Sequence, residues 1–385
     1  MRHGDLAGER VGVFQGGGLS SLALGVWLRE QGADAHHYVA DLGQSRPEEI
    51  EDLAGSLRAS GLPVTVVDLR PRTAEIGLEL LRHQARHDGG YWNTTGASRL
   101  VLVEQLSRVL RADGRTVLAH GCVGGGNDQR RFATYAREFA PDLAVYAPWT
   151  DPAALARFPG RAAMVSAVKD TGLLLDRGSD ADRSTDATLA GASHESTALE
   201  DLATPVDDRS LAPRWSAWPG EAPAAARTVT VGFEAGRVVD VDGSGADPVA
   251  VLETARDLGA GHGIWLRDVV ERRIIGTRCR GVYEAPGLEV LDVAWQRALE
   301  VCLDPRAREL YGTLAPLLGA AVYEARYTTP AAVAARAAVE ELVRPVTAVV
   351  RLTLHRGFAR VAGITAPGVG ADQQTRFGSG GNRWR

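Results

Sequence analysis

The sequence is poor in cysteine, in lysine and in long apolar stretches. Its 385 residues include three cysteines, which are too few and too scattered for a disulfide framework or a CxxC metal site. No stretch reaches the roughly 18 apolar residues of a membrane span, and residues 1–10 lack the apolar segment of a secretion signal. A single lysine, Lys169, and two methionines indicate a GC-rich coding genome. These absences predict a cytoplasmic protein.

A surplus of positive charge is also missing, because the formal net charge is -5 and the pI is about 6.0. Neither nucleic acid nor an anionic membrane is therefore an expected partner. The length exceeds what one hydrophobic core usually fills, so two domains are expected. The predicted boundaries are 1–170 and 171–368, and the polar, glycine-rich tail 369–385 is predicted to be disordered.

Short apolar strands alternate with helices between residues 10 and 147. The predicted strands are 10–14, 35–41, 63–68, 116–119 and 143–147, with helices at 19–31, 47–60, 73–85, 96–112 and 128–139. Strands joined through helices pair in parallel, which predicts an open α/β sheet with both faces covered. Ligands bind such sheets beyond the carboxyl ends of the strands. Beyond residue 205, hairpins are predicted at 228–241 and 346–365, and between them a strand at 264–270 and helices at 248–258, 290–302 and 306–323.

A glycine loop joins the first predicted strand to the first helix. The segment VGVFQGGGLSSLALGVW contains Gly16, Gly17 and Gly18, and glycines allow several backbone N–H groups to converge on an anion. The start of the helix adds its unpaired N–H groups and a partial positive charge, so the loop predicts a phosphate site. The loop lacks Gly-Lys-Ser/Thr and the GxGxxG spacing, which leaves a simple packing turn as the alternative.

A second glycine loop, HGCVGGGNDQRRF from His120 to Phe132, follows the strand 116–119 at the same edge of the sheet. Burying polar groups such as Asn127 and Asp128 without partners would cost about 1 to 3 kcal/mol each, so a mere turn explains this loop poorly. Two such loops facing one cleft predict a bound nucleotide.

With these segments the sequence resembles the argininosuccinate synthase family. The matching segments run in order over nearly the whole chain: GGGLSS with VWLREQG, YVADLGQ, residues 91–99, HGCVGGGNDQRRF, YAPWTDP and ERRIIGTRCRGVYEAPG. The resemblance implies an N-type ATP pyrophosphatase domain (adenine nucleotide alpha hydrolase-like) and an α+β synthetase domain. It also implies a carbon–nitrogen ligase that uses ATP to adenylate the ureido oxygen of citrulline, releases pyrophosphate, and lets the aspartate amine displace AMP. A homo-oligomer, dimer or tetramer, is expected.

The resemblance assigns roles to individual residues. The ATP-binding positions are Gly16, Gly17, Gly18, Ser20, Ser21, Ala40, Gly121, Gly124 and Gly126. The positions that match the citrulline pocket are Tyr91, Thr95, Arg131, Ser184, Ser193, Glu271 and Tyr283, and those that match the aspartate site are Asn127 and Asp128. We assign the catalytic roles to Asp128 and Arg131. No protein ligand for a metal is assigned.

The chain departs from the family pattern in its phosphate loops. The family's first loop reads SGGLDTS, so here Ser20 replaces an aspartate suited to organising magnesium, and Leu22 replaces a serine. In the second loop Val123 replaces a threonine that binds aspartate, and Gly125 replaces a lysine. Gly96 replaces a serine of the citrulline pocket. The helical arm that clasps neighbouring subunits in the family has no counterpart after residue 368.

Three functions fit this combination of matches and departures. The first is a divergent ligase of specialised metabolism, with citrulline and aspartate or their analogues as substrates. The second is a non-catalytic paralogue that retains the small-molecule pocket, and the third is a subunit that supports a catalytic partner. The joint presence of Asn127, Asp128, Arg131, Glu271 and Tyr283 favours the ligase.

Overall fold

The computed structural model describes residues 5–173, 183–207 and 210–367. In the first part of the chain strands alternate with helices, as the sequence predicts. The elements are β1 (Arg10–Gln15), α1 (Leu19–Glu30), β2 (Asp34–Asp41), α2 (Pro47–Ala59), β3 (Val64–Asp68), α3 (Arg70–Arg82), β4 (Arg86–His87), β5 (Tyr91–Trp92), α4 (Thr94–Ala112), β6 (Val117–His120), α5 (Asn127–Phe139), β7 (Ala144–Tyr146), α6 (Pro152–Arg157) and α7 (Arg161–Lys169).

Five of these strands form one parallel sheet in the order β3-β2-β1-β6-β7. Strand β1 is central, because Phe14 pairs in register with Tyr38 of β2 on one side and with His120 of β6 on the other. After β3 the chain crosses to the other side of β1, so a crevice opens beyond the carboxyl ends of β1 and β6. Both glycine loops begin at this crevice, and the predicted parallel α/β fold is confirmed.

One face of the sheet packs against α1 because both elements present apolar side chains there. Val11 and Val13 of β1 are fully buried together with Leu22 and Val26 of α1. Burial of each such side chain stabilises the fold by roughly 1.5 to 3 kcal/mol. This packing fixes where α1 starts, and so fixes the position of the first glycine loop.

The second part of the chain is mainly antiparallel. Its elements are β8 (Arg183–Thr188), β9 (Gly191–Ser196), α8 (Thr197–Glu200), β10 (Arg227–Glu234), β11 (Arg237–Val241), α9 (Pro248–Gly261), β12 (Leu266–Arg272), β13 (Arg278–Glu284), α10 (Pro286–Cys302), α11 (Pro305–Tyr323), α12 (Pro330–Val343), β14 (Ala348–His355) and β15 (Phe358–Thr365). One sheet has the order β11-β10-β14-β15, and the other has the order β12-β13-β9-β8.

The two parts share a hydrophobic core. The largest cluster of buried side chains includes Leu80 of α3, Leu252 of α9, Leu291 of α10 and Leu352 of β14. A polar contact also joins α11 to α3, since the Tyr311 hydroxyl donates to the Arg82 carbonyl at 2.7 Å. The β12-β13-β9-β8 sheet contacts α4 of the first part through Thr95 and Ser193, and this junction carries most of the predicted substrate residues.

Several elements differ from the sequence prediction. Strands β8 and β9 were not predicted, because their sequences RSTDAT and GASHES show no alternation of apolar and polar residues. The strand predicted at 264–270 is Leu266–Arg272, and α10 begins four residues earlier than the predicted 290, at Pro286. The predicted tail 369–385 lies outside the described residues. Across the described chain, no helix is both long and apolar enough to cross a membrane.

Candidate functional site

The first glycine loop leads from β1 into α1 with part of its backbone open. Gly17 has a φ of 76°, which favours glycine. A Cβ placed on Gly16 or Gly18 would meet no atom within 4 Å. Gly18 is the N-cap of α1 and makes no side-chain cap, so the loop offers an anion backbone N–H groups and the positive end of a helix dipole.

Gln15, the last residue of β1, already bonds two donors of this loop. Its Oε1 accepts the N–H of Gly17 at 2.9 Å and the hydroxyl of Ser21. Its Nε2 donates to the Ser21 carbonyl at 3.2 Å and to Nδ1 of His37 at 3.3 Å. Burial lowers the pKa of His37 to about 4, so this ring is neutral and accepts the bond. A phosphate here must use the other amides of the loop or displace Gln15.

The second glycine loop starts from the neighbouring strand and touches the first. A Cβ on Gly121 would lie 2.8 Å from the backbone of Ser21, and one on Gly124 would lie 2.4 Å from the Trp149 carbonyl. Close packing thus accounts for these two glycines without a nucleotide. Gly126 is the N-cap of α5 and, like Gly18, makes no side-chain cap. Two uncapped helix starts therefore lie at adjacent strands of one sheet.

The other predicted ATP-binding residues lie along the same edge. Ala40 is near the end of β2, beside β1, and its carbonyl accepts a bond from Gln44 Nε2 at 2.8 Å. Ser20 lies half-buried in the first turn of α1. Within the described residues, no three His, Cys, Asp or Glu side chains are grouped so that they could hold a metal ion.

The first turn of α5 supplies Asn127, Asp128 and Arg131, and all three are tied to other elements. Asn127 Nδ2 donates to the Tyr323 hydroxyl at 2.9 Å, and Asn127 Oδ1 accepts the N–H of Ile274 at 3.0 Å. Arg131 is buried, and its Nε donates to the Tyr323 carbonyl at 2.9 Å. These bonds hold the start of α5 against the end of α11 and the turn between β12 and β13.

Asp128 is paired with two arginines. Its Oδ1 accepts a bond from Arg131 Nη1 at 2.8 Å, and its Oδ2 accepts one from Arg99 Nη2 at 2.7 Å. Burial alone would raise the pKa of Asp128, but the charges of Arg99 and Arg131 outweigh burial and lower it to about 2. Asp128 is therefore ionised at neutral pH. An ionised carboxylate is better suited to orienting Arg131 than to donating a proton.

Tyr323 and His87 belong to this site, although the sequence analysis did not identify them. Their rings stack with centroids 3.6 Å apart and planes within 9°. The guanidinium carbon of Arg131 lies 4.9 Å from the centre of the Tyr323 ring, on the ring face. The only sign of Tyr323 in the sequence is that of an isolated aromatic residue at the end of an apolar helix. Such a residue is more typical of core packing than of a binding site.

Glu271 accepts hydrogen bonds from two tyrosines. The Tyr91 hydroxyl donates to Glu271 Oε2 at 2.6 Å, and the Tyr283 hydroxyl donates to Glu271 Oε1 at 2.8 Å. The two phenol rings stack at 3.6 Å, with planes 13° apart. Glu271 itself is only 5% exposed. Residues from β5, β12 and β13 thus meet at one buried carboxylate, as the resemblance implies.

Within the described part of the chain, this carboxylate has no permanent cation. Among the described residues, no lysine or arginine forms a salt bridge with Glu271, and the nearest basic atom is His87 Nε2 at 4.0 Å. Burial lowers the pKa of His87 to about 4, so the ring is neutral at physiological pH. A buried charge is costly unless it is paired, so Glu271 is suited to receive a cationic group from a ligand.

The remaining predicted pocket residues line the adjoining strands. The hydroxyls of Thr95 and Ser193 lie 2.8 Å apart, and Ser193 pairs in register with Tyr283. Ser184 is exposed on β8, two residues from Asp186 and on the same face of the strand. Asp186 forms a salt bridge with Arg99 at 2.9 Å. Thr95 and Ser193 therefore join the Glu271 group, whereas Ser184 lies at its margin.

The glycine at position 96 has a local structural reason. Asn93 is the N-cap of α4, and its Oδ1 accepts the N–H of Gly96 at 2.8 Å. A Cβ on Gly96 would lie 2.5 Å from Asn93 Nδ2. The close approach of the capping Asn93 side chain therefore explains why a glycine stands at position 96.

An open parallel sheet with two glycine loops at its topological switch point defines the nucleotide-binding HUP class of α/β folds. Protein-family comparison agrees: residues 10–165 match "Arginosuccinate synthase N-terminal HUP domain", and residues 183–369 match "Arginosuccinate synthase C-terminal domain". The chain belongs to the argininosuccinate synthase family. Membership supports a ligase, and the HUP domain supports the use of ATP.

A comparison with solved structures includes a predicted subunit of a tRNA methyltransferase from Methanocaldococcus jannaschii. It is 14% identical, the match covers 42% of this chain and 74% of that chain, and the TM-score is 0.29. Similarity at this level carries no inference about function.

Proposed function

We propose that this protein is an ATP-dependent carbon–nitrogen ligase that adenylates the ureido group of citrulline or an analogue. The amine of aspartate or an analogue then takes the place of AMP. Family membership and the two uncapped helix starts beside the crevice support this proposal. The replacements at Ser20, Val123 and Gly125 favour specialised metabolism over arginine synthesis itself.

The observation on which the proposal rests is the buried Glu271 carboxylate without a cation. A citrulline-like substrate carries an α-ammonium group, which would supply the missing charge between the hydroxyls of Tyr91 and Tyr283. An ion pair that forms only on binding gives both affinity and orientation, because the Glu271 carboxylate is already desolvated in the free protein. The ureido end of the same substrate would then extend toward the start of α5.

The proposed chemistry has two steps. A urea carbonyl is a weak electrophile because resonance spreads its charge. Attack of the ureido oxygen on the α-phosphorus of ATP forms a new P–O bond and releases pyrophosphate, and the oxygen becomes part of a good leaving group. The amine then attacks the ureido carbon, and the C–O bond to AMP breaks. Positioning and charge neutralisation supply most of the rate in such transfers.

The direct test is release of pyrophosphate from ATP and magnesium in the presence of citrulline and aspartate. We expect release that depends on the ureido compound. Analogues of each substrate should be tested in parallel, because Val123 removes one expected contact with the aspartate carboxylate. Absence of release with every ureido compound would exclude the ligase.

A non-catalytic paralogue is the second candidate, and one observation favours it. Gln15 bonds the Gly17 N–H and the Ser21 hydroxyl, two groups that the resemblance assigns to the phosphates. Calorimetry distinguishes the two functions. Binding of a citrulline-like ligand without any binding of ATP would favour the non-catalytic protein, whereas binding of both supports the ligase.

The homo-oligomeric state remains a prediction from the family. Light scattering coupled to size-exclusion chromatography would test it. A dimer or tetramer is expected, and a monomer at micromolar concentration would contradict it.

A further inference from the structure

An arginine-lined cavity lies beside the candidate site and is not explained by the ligase. Its volume is about 740 Å³, within the size range of small-molecule pockets. It lies between α5, the turn that follows β12 and the end of α11. The arginines that line it are Arg130, Arg137, Arg272, Arg273 and Arg326.

Within the described residues, Arg130, Arg137 and Arg272 have no salt bridge, and Arg273 has Glu195 and Glu200 only at longer range. Arg326 pairs with Glu324 at 3.2 Å. Among the described residues, no carboxylate forms a salt bridge with any of the other four arginines. The second acid of the cavity wall, Asp88, accepts the backbone N–H of Arg272 at 3.3 Å. The walls thus bring five positive charges together against two negative ones.

Like charges around one cavity repel each other, and an anion between them relieves this repulsion. Guanidinium groups bind carboxylate and phosphate oxygens in a bidentate manner, which a lysine cannot do. We propose that the cavity binds a small oxyanion carrying two or more negative charges, either a phosphate type or a carboxylate type. The concave shape and the net charge of -5 of the chain favour a small molecule over nucleic acid.

The cavity shares a wall with the candidate site. Tyr323 and His87 line it, and the opposite side of Tyr323 holds Asn127 and Arg131. The proposed site is nevertheless distinct, because in the described structure none of its five arginines forms a salt bridge with Glu271 or with Asp128. Anion binding in the arginine-lined cavity does not depend on the ligase activity. An experiment can therefore contradict one of the two proposals without contradicting the other.

The test is calorimetric titration of the full chain with pyrophosphate and, separately, with citrate at low ionic strength. These two probes distinguish a phosphate-type from a carboxylate-type ligand. We expect saturable binding of at least one of them. In the double variant Arg137→Gln/Arg272→Gln the affinity should fall at least about tenfold, because two charges leave the cavity.

The matched control is Arg306→Gln/Arg344→Gln, which removes the same charge from two exposed arginines, one in the first turn of α11 and one directly after α12. Its affinity should stay within about twofold of the parent chain, since neither arginine lines the cavity and each pairs with a neighbouring carboxylate. The proposal is overturned if neither anion binds, if the cavity variant binds as tightly as the parent chain, or if the control loses as much affinity. Pyrophosphate bound at the glycine loops would appear as a second class of sites that is equal in both variants, so these criteria apply to the remaining class of sites.

Discussion

The phenol ring of Tyr91 stacks on that of Tyr283 at 3.6 Å, and both hydroxyls donate to the same carboxylate, Glu271. Tyr91 comes from the first part of the chain and Tyr283 from the second. The stacked pair therefore joins the two parts at a buried charge. A pair of neutral donors stabilises the carboxylate but does not neutralise it, and this leaves the site in need of a cation.

Replacing Glu271 with glutamine removes the charge and keeps the shape. We expect Glu271→Gln to weaken binding of a citrulline-like ligand at least about tenfold, because bonds between charged groups contribute roughly 1.5 to 3 kcal/mol. The free protein should be as stable as before or more stable, since an unpaired buried charge is lost. Calorimetry and urea unfolding measure the two effects.

Glu289 offers the matched control for this variant. It is also buried, but it pairs with Arg267 at 2.5 Å and with Arg86 at 3.4 Å. Glu289→Gln should lower stability by about 1 to 3 kcal/mol and leave ligand affinity unchanged. If the two variants behave alike, Glu271 is a structural residue and not a ligand-binding one.

Asp128 holds two buried arginines, so its charge should matter for folding. We expect Asp128→Asn to reduce the free energy of unfolding by about 3 kcal/mol, because Arg131 loses its anion and Arg99 keeps only Asp186. Asp186→Asn removes a carboxylate with a half-exposed side chain from the same Arg99 and should cost less than about 1 kcal/mol. Urea unfolding of both variants measures the two changes in the free energy of unfolding. If both substitutions lower the free energy of unfolding by the same small amount, the pairing of Asp128 with Arg99 and Arg131 is contradicted.

Ser20 lies where the family has an aspartate, and restoring the carboxylate tests the phosphate loop. In Ser20→Asp we expect ATP affinity to rise about tenfold with magnesium present, since the carboxylate can organise the cation at the phosphates. In EDTA the affinity should fall, because the same charge repels the triphosphate. Calorimetry with magnesium and with EDTA measures the two ATP affinities. If Ser20→Asp changes the ATP affinity by the same factor with and without magnesium, phosphates do not bind at this loop.

Three buried histidines predict a loss of stability in mild acid. Burial lowers the pKa of His37, His87 and His120 to about 4 from 6.5, so the unfolded chain takes up protons that the folded chain does not. Stability should therefore fall as the pH drops from about 6.5 to 4, by up to about 1.4 kcal/mol per pH unit for each histidine. In His120→Asn the slope of stability against pH should decrease by that amount. An unchanged slope would mean that His120 does not contribute.

The position of the crevice beside the two glycine loops follows from local sequence patterns. A run of glycines between an apolar strand and an amphipathic helix is readable at Gly16 to Gly18, and again before α5. The rule that parallel strands present their carboxyl ends at one edge places both loops together. The family motifs then select Tyr91, Glu271 and Tyr283, which the structure brings into contact.

Side-chain partners from distant parts of the chain were not predictable in this way. Tyr323 bonds Asn127 across 196 positions of sequence, and no periodic pattern encodes such a contact. In the sequence Gln15 is only the polar last residue of a strand. Whether it competes with a phosphate for the hydrogen-bond donors of the loop depends on how its side-chain amide is oriented. The guanidinium of Arg99 is tied to Asp128 by the packing of α4 against α5, which is a tertiary feature.

The most direct test of the ligase is exchange of radiolabelled pyrophosphate into ATP, because the exchange reports adenylation before any amine takes part. The account predicts exchange that requires both magnesium and a ureido amino acid, and that is lost in Glu271→Gln. Exchange that is absent with every ureido compound, while such a compound still binds, would contradict it and would favour the non-catalytic protein.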